Sequence, residues 1–325
     1  MKGTVREIPA ELKTTKVRMS PAHGLIGNGA WRNDPSNILK IGDKYHVWYA
    51  RFPARGSGFP SKEEWNEICF RPNYTQIWMA TSEDGHHWAE YGQVLPLSKP
   101  HAWHERCPHA PYVVPWNGKY YLFFSAYKGP RSYQRPGEKH IGLAVADQPE
   151  GPYKHVQDTP ILSPSPDPKA LDHYLIDDPC VIRREGKFWL YYKGRDLKLR
   201  RCWVFVAASE KITGPFIRAQ AKPVSNANWH TACLWPHAEG VAGIVESACL
   251  AYSLDGLNFR LGAKIPRDLS NNSVYCPDVL DDAQKGGGIT WGMCMTIRGM
   301  LGLRRFDCDL RNRDVTESGD SGDGK

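Results

Sequence analysis

Apolar positions along the chain fall in short blocks, and the blocks recur in a fixed internal order. A polar segment containing Pro (Asn33 to Ile38) leads to a Gly turn and an aromatic run (42–50, GDKYHVWYA). An alternating run then closes on a polar turn and an aromatic (76–88, QIWMATSEDGHHW). The same order returns at 109–114, 117–125 and 141–153, and again at 177–182, 186–192 and 203–216. A shorter fourth copy opens at His237-Ala238-Glu239-Gly240 and continues through 248–259. A fifth runs from Tyr275 through 289–294 to Phe306. Period-two alternation and short apolar runs bounded by Gly and Pro predict strands.

Units of roughly 45 to 65 residues, each with three or four strands, cannot bury both faces alone and pack radially on their neighbours. The expected fold is therefore all-β, a five-bladed β-propeller over residues 22–312. Residues 1–21 are expected to form an N-terminal arm. The Ser, Gly and acid-rich tail 313–325 is expected to be disordered. The insert from Pro53 to Tyr74 is long for a connection and is expected to fold over the channel mouth.

Composition supports this reading. The 325 residues include 30 Gly and 25 Pro, which suits tight turns and leaves little room for long helices. The formal charge is +7, but the cations are scattered, which argues against a nucleic-acid stripe. No apolar stretch reads as a signal or a membrane span, so the chain as given is expected in the cytoplasm. Nine cysteines without a CxxC pair, mostly inside apolar runs, read as buried thiols in a reducing compartment rather than a disulfide or zinc framework.

Aligning the openings of the units places Asp34, Ala110, Asp178, Glu239 and Asp278 in one register. The opening strand of a blade is its innermost, so Asp34, Asp178 and Glu239 are expected to converge on the channel. Carboxylates sharing a poorly solvated pocket have their pKa values pushed apart, as acid and base catalysis requires. His237 shares a face with Glu239 in an extended segment, so either could donate the proton. Near the other openings, His109, His173 and His230 are candidates for sugar hydroxyls or a channel cation. Trp31, Arg32, Arg51, Trp103, Asp177, Arg195, Trp229 and Tyr275 complete a candidate sugar site, since sugar C–H faces suit aromatics and hydroxyls suit fork-shaped donors. TSEDGHHW lacks the spacing of a sialidase Asp-box and reads as a structural turn above a packed Trp88.

The segments NDPSNILKIGDKYHVWYA, IWMATSEDGHHW, IDDPCVIRREGKFWLYY and HAEG resemble the five-bladed propeller glycoside hydrolases of families 43 and 117, from about Trp31 to Leu310. The resemblance implies Asp34 as general base, Asp178 as the orienting and pKa-tuning acid, and Glu239 as the fourth-blade carboxylate. RNDPSN and TSEDGHHW look closer to family 117, whose members release terminal 3,6-anhydro-L-galactose and use a His as acid. In that family's motif the His and Glu are adjacent, whereas Ala238 separates them here.

The leading expectation is an exo-acting inverting glycoside hydrolase on plant or algal oligosaccharides, of the arabinofuranosidase, xylosidase or anhydrogalactosidase type. A family 130-like phosphorylase and a non-catalytic sugar-binding propeller are the alternatives. No cofactor is expected to be required and no metal ligands are assigned, although a divalent cation would fit the channel. The expected partner is an oligosaccharide, not nucleic acid or membrane. An oligomer is left open.

Overall fold

The computed structural model describes residues 7–313 apart from 14, 28, 54–60, 129–136, 197–198, 200, 227, 230–231, 246–248, 266–268, 270–271, 282–284 and 296–301. The tail 314–325 and His230 thus lie outside the described residues. The chain is all-β, with one α-helix, Lys62–Phe70, and one 3-10 turn, Ala10–Leu12, among the described residues.

Strands follow one another as antiparallel meanders. The first group comprises Ala30–Asn33, Lys44–Pro53, Gln76–Ser82 and Ala89–Gln93, with Leu39–Ile41 as a side strand. The second comprises Arg106–Trp116, Lys119–Tyr127, Lys139–Ala146 and Lys154–His155. The third comprises Leu175–Arg184, Lys187–Asp196, Arg201–Ser209 and Ile217–Arg218. The remaining eight strands form a single sheet. Within it, Ala232–Ala238 pairs Gly240–Val245 on one side and meets Gly286–Met295 on the other, through His237 opposite Gly287 and Ala238 opposite Gly286. Hydrogen bonding therefore yields four sheets rather than five separate ones. The fourth and fifth repeats are fused at this contact.

The N-terminal strand Arg18–Ile26 pairs with the last strand, Gly302–Arg311, with Met19 opposite Phe306. The same strand touches the first group, where His23 N–H donates to the His86 carbonyl and Trp88 N–H donates to that of His23.

Inner strands are apolar on both faces, as in Lys119–Tyr127, because each sheet packs on its neighbours. Trp48, Trp235, Phe123, Phe124 and Phe306 are fully buried there. The segment 82–88 is a structural turn. The Asp84 carboxylate accepts the His86 and His87 N–H groups at 2.7 and 2.8 Å, and Trp88 Nε1 donates to the Gly85 carbonyl. Asp255 repeats the motif, accepting from the N–H groups of Leu257 and Asn258. Gly85 has φ +71°, and a Cβ there would lie 2.4 Å from Arg305 Nη1. Gly85→Ala is expected to cost about 1–2 kcal/mol, from the left-handed backbone alone, in chemical denaturation.

The insert gives the helix Lys62–Phe70, started by a capping box in which Ser61 Oγ accepts from Glu64 N–H and the Glu64 carboxylate accepts from Ser61 N–H. It packs against Arg106–Trp116, and its Ile68 and Cys69 join Trp31, Phe52, Cys107 and Tyr127 in one apolar cluster. None of its described residues lines the cavity between the sheets.

Candidate active site

Three repeat openings meet at one cavity of about 40 Å³, lined by Asp34-Pro35, Ala110-Pro111 and Asp178-Pro179 together with Asn37, Tyr112, Cys180, Cys233, Asn272 and Ser273. The first residue of each Pro pair has a left-handed backbone, with φ +48° at Asp34, +47° at Ala110 and +50° at Asp178. A non-glycine residue there is unusual and costs energy. The conformation is held locally: Asp34 N–H donates to Asn33 Oδ1 at 2.8 Å, and Asp178 N–H donates to Asp177 Oδ1 at 3.0 Å. The two aspartates are thus geometrically equivalent. This volume holds a few waters at most, so a sugar ring would sit above it rather than inside.

Behind the pair lies a buried charge network. Asp177 accepts from Lys139, from Lys193 at 3.0 Å, and faces His109 Nε2 at 3.3 Å. Lys193 also donates to Asp178 at 2.7 Å. Burial pushes the Asp177 carboxyl up, but the two lysines and His109 outweigh it and hold it well below the usual range. Burial, then the neighbouring Asp177, pushes Asp178 up, against the pull of Lys193. Asp34 is pushed up to about 6, by burial first, with His109 opposing and Asp178 and Asp177 adding to the rise. At His109, burial and Lys139 act against the charge, but Cys107 and Asp177 raise its pKa well above the ordinary value. Its Nδ1 is within 2.7 Å of the Cys107 carbonyl. One cavity therefore carries a carboxyl that titrates near neutrality, a second that is also raised, and a firmly ionised carboxylate behind them. That is an environment for general acid–base chemistry.

The structure does not bring Glu239 to this cavity. Residues 237–240 form a tight turn, with His237 paired to Gly240. Ala238 has φ +49°, which matches Asn117 (+49°), Glu185 (+54°) and Gly42 (+59°) at the turns of the other groups. HAEG is thus the hairpin turn of its repeat and not the opening. Glu239 is exposed beside Lys285 at 3.6 Å. It lines a different cleft with Arg183, Arg184 and Asp281. His237 is fully buried, with Nε2 2.7 Å from Glu11, and burial pushes its pKa down despite that partner. Glu239→Gln is expected to leave turnover within about twofold of the parent, checked by initial rates, because the side chain faces away from the reacting groups. Asp278, aligned with the fifth opening, accepts from Gly287 N–H at 2.6 Å, and Asn272 and Ser273 line the cavity instead.

Most of the expected sugar-binding side chains serve packing. Arg32 is 1% exposed and grips Glu90 through Nε and Nη2 at 2.9 and 2.8 Å. Arg51 sits over Trp78 and 3.6 Å from the same carboxylate. Trp31 packs edge-on to Phe52, Trp103 stacks on Phe124, Trp229 meets Phe259, and Tyr275 packs between Tyr45 and Trp291. Arg195 lies on Lys187–Asp196 opposite Leu175, and His173 Nδ1 is 2.8 Å from the Ser165 carbonyl. Lys139 and Lys193 were not among the expected site residues. Lys139 opens the strand KHIGLAVA and Lys193 follows the apolar run FWLYY, and a lysine buried at such a place signals a carboxylate partner. Among the described residues, no group of three His, Cys, Asp or Glu side chains is arranged to hold a metal ion.

The sequence pattern of glycosyl hydrolases family 43 matches residues 30–179, the stretch that carries both Asp34 and Asp178. A xylosidase/arabinosidase 43A from Humicola insolens is 28% identical over 168 residues, 49% of this chain and 45% of that protein. A beta-xylosidase from Xylanibacter ruminicola is 33% identical over 101 residues, 31% of this chain and 24% of that one. The chain spans less than half the length of these relatives. A solved structure of a family 117 glycoside hydrolase from the marine bacterium Zobellia galactanivorans superposes with a TM-score of 0.80 at 24% identity, covering 96% of this chain and 100% of that one. The resemblance read from the sequence therefore stands, with the family 43 glycoside hydrolase pattern over residues 30–179 and the fold of a family 117 glycoside hydrolase over nearly the whole chain.

Proposed function

We propose that the protein is an exo-acting, inverting glycoside hydrolase on plant or algal oligosaccharides, with Asp34 as general base and Asp178 as its tuning partner. One observation carries the reading. Two aspartates from separate sheets adopt the same strained backbone, line the same cavity, and are both pushed toward neutrality. Inversion needs one carboxylate to activate water and an acid on the opposite face of the sugar. The acid is assigned to neither Glu239 nor His237, which lie off the cavity.

The fold is read as a five-bladed propeller in which the fourth and fifth blades are bonded into one sheet. Contacts between successive groups support it. Asn37 exchanges hydrogen bonds with Val113, Lys139 and His109 reach Asp177, and Cys180 reaches the Leu234 carbonyl. His237 pairs with Gly287, and Ile38 pairs with Tyr275. Each group thus touches the next, and the last touches the first.

A panel of xylan, arabinan, galactan and agar oligosaccharides, with released monosaccharides identified and the first-formed anomer read by NMR, tests the proposal. Hydrolysis with the inverted anomer is expected. Retention would remove the inverting mechanism, product formation that requires phosphate would replace hydrolysis by phosphorolysis, and binding without turnover would leave a sugar-binding protein.

A further inference from the structure

Cys69 and Cys107 come from separate elements and meet in a sealed apolar pocket. Cys69 is 0% exposed near the end of the helix Lys62–Phe70, and Cys107 is 4% exposed near the start of the strand Arg106–Trp116. Both belong to the cluster of Trp31, Phe52, Ile68 and Tyr127. The flanking backbone is stitched together. Arg106 Nε donates to the Phe70 carbonyl at 3.0 Å, Pro72 bridges Arg106, and Asn73 N–H donates to the Glu105 carbonyl at 2.7 Å. Thr75 Oγ1 lies 3.3 Å from the Ile68 carbonyl and 3.7 Å from Cys107 Sγ, so a single hydroxyl touches both sides. Both thiols sit in the same apolar cluster, and the neighbouring Cys69 thiol, with burial, pushes Cys107 well above the ordinary thiol range.

We propose that Cys69 and Cys107 form a reversible disulfide that clamps the insert helix onto the strand carrying His109. The reaction is thiol–disulfide exchange with a small disulfide such as oxidised glutathione. Both protein S–H bonds break, one S–S bond forms, and the two electrons and two protons leave as two molecules of the small thiol. Neither cysteine is a ready nucleophile at neutral pH, since both are buried and Cys107 is held as the neutral thiol, so exchange proceeds through local opening around the helix. The clamp would reach the site through the Cys107 carbonyl, which lies 2.7 Å from His109 Nδ1. The inference is independent of the sugar chemistry above, because its readout is covalent.

The full-length protein is equilibrated in an oxidised glutathione buffer from two starting points, native reduced protein and protein refolded from urea in the same buffer. Free thiols are then alkylated and the peptides mapped by mass spectrometry. The expected result is a linked pair of peptides carrying Cys69 and Cys107 from both starting points. It should be reversed by dithiothreitol and accompanied by a rise in Tm of roughly 3–8 °C that Cys69→Ser lacks. Alkylated Cys69 and Cys107 from both starting points would overturn the proposal, as would linkage of either to a different cysteine.

Discussion

Asp34→Asn is expected to lower turnover by at least about a thousandfold while leaving the fold intact, since amide and carboxylate have the same shape but only the carboxylate can take a proton from water. The same substitution should raise stability at alkaline pH. Asp34 is pushed up to about 6, chiefly by burial. A carboxyl raised in the folded state holds its proton there after the unfolded chain has released its own. Its contribution is therefore fully favourable below about pH 4 and is lost as pH rises through about 6. Above that range the parent carries an ionised, half-buried carboxylate that the Asn variant lacks. Urea midpoints at pH 4 and pH 8 check this: the variant should gain on the parent at pH 8 and not at pH 4. The parent's activity should fall on the acid side with an apparent pKa near 6, measured by kcat/KM against pH. Full activity of the variant would remove Asp34 from the chemistry.

The second large effect concerns the charges behind the pair. Lys193 bridges Asp177 at 3.0 Å and Asp178 at 2.7 Å, and its side chain is 5% exposed. Burial works against its charge, but the two aspartates hold it above the usual lysine range. Lys193→Met keeps the apolar stem and removes the cation, leaving two adjacent buried carboxylates with only Lys139 and His109 to offset them. Breaking such a network from one side is expected to cost about 3–5 kcal/mol at pH 7. The loss should shrink toward pH 4, as Asp178 takes up a proton and the repulsion with Asp177 falls. Denaturant titrations at the two pH values measure both terms. A loss equal at both would mean that Lys193 contributes packing rather than charge.

The openings with Asp-Pro were legible because the chemistry and the backbone coincide there. Pro fixes its own φ and restricts the residue before it, and Asp tolerates the left-handed conformation better than most residues. Asp34 and Asp178 could therefore be placed opposite each other from spacing alone. The turn at 82–88 was legible for a similar reason, since an Asp that caps its own turn and a Gly with positive φ leave a local signature. The fourth opening failed. His237-Ala238-Glu239-Gly240 resembles an opening in composition, but Gly240 continues a tight hairpin whose left-handed residue is Ala238. The strand Ala232–Ala238 that leads into this turn carries no Asp-Pro, so its nearest polar cluster in the sequence is the turn itself. The aromatic candidates failed for a different reason. Trp31, Trp229 and Tyr275 sit beside openings in sequence, yet alternation sends their side chains between sheets, and spacing cannot tell a packing face from a channel face. Lys139 and Lys193 were hidden because their partner, Asp177, lies on another strand.

The pairing of the N-terminal strand with the last one has a consequence for the order in which the molecule can be completed. Met19 sits opposite Phe306, so two strands almost 290 positions apart in sequence must find each other. Arg18–Ile26 has its early contact with the first group through His23, but loop-closure entropy must be met before the pairing with Gly302–Arg311 returns anything. The two strands therefore act as a clasp. Joining Arg18–Ile26 to Gly302–Arg311 through a short linker and opening the chain elsewhere would turn this long-range contact into a local one.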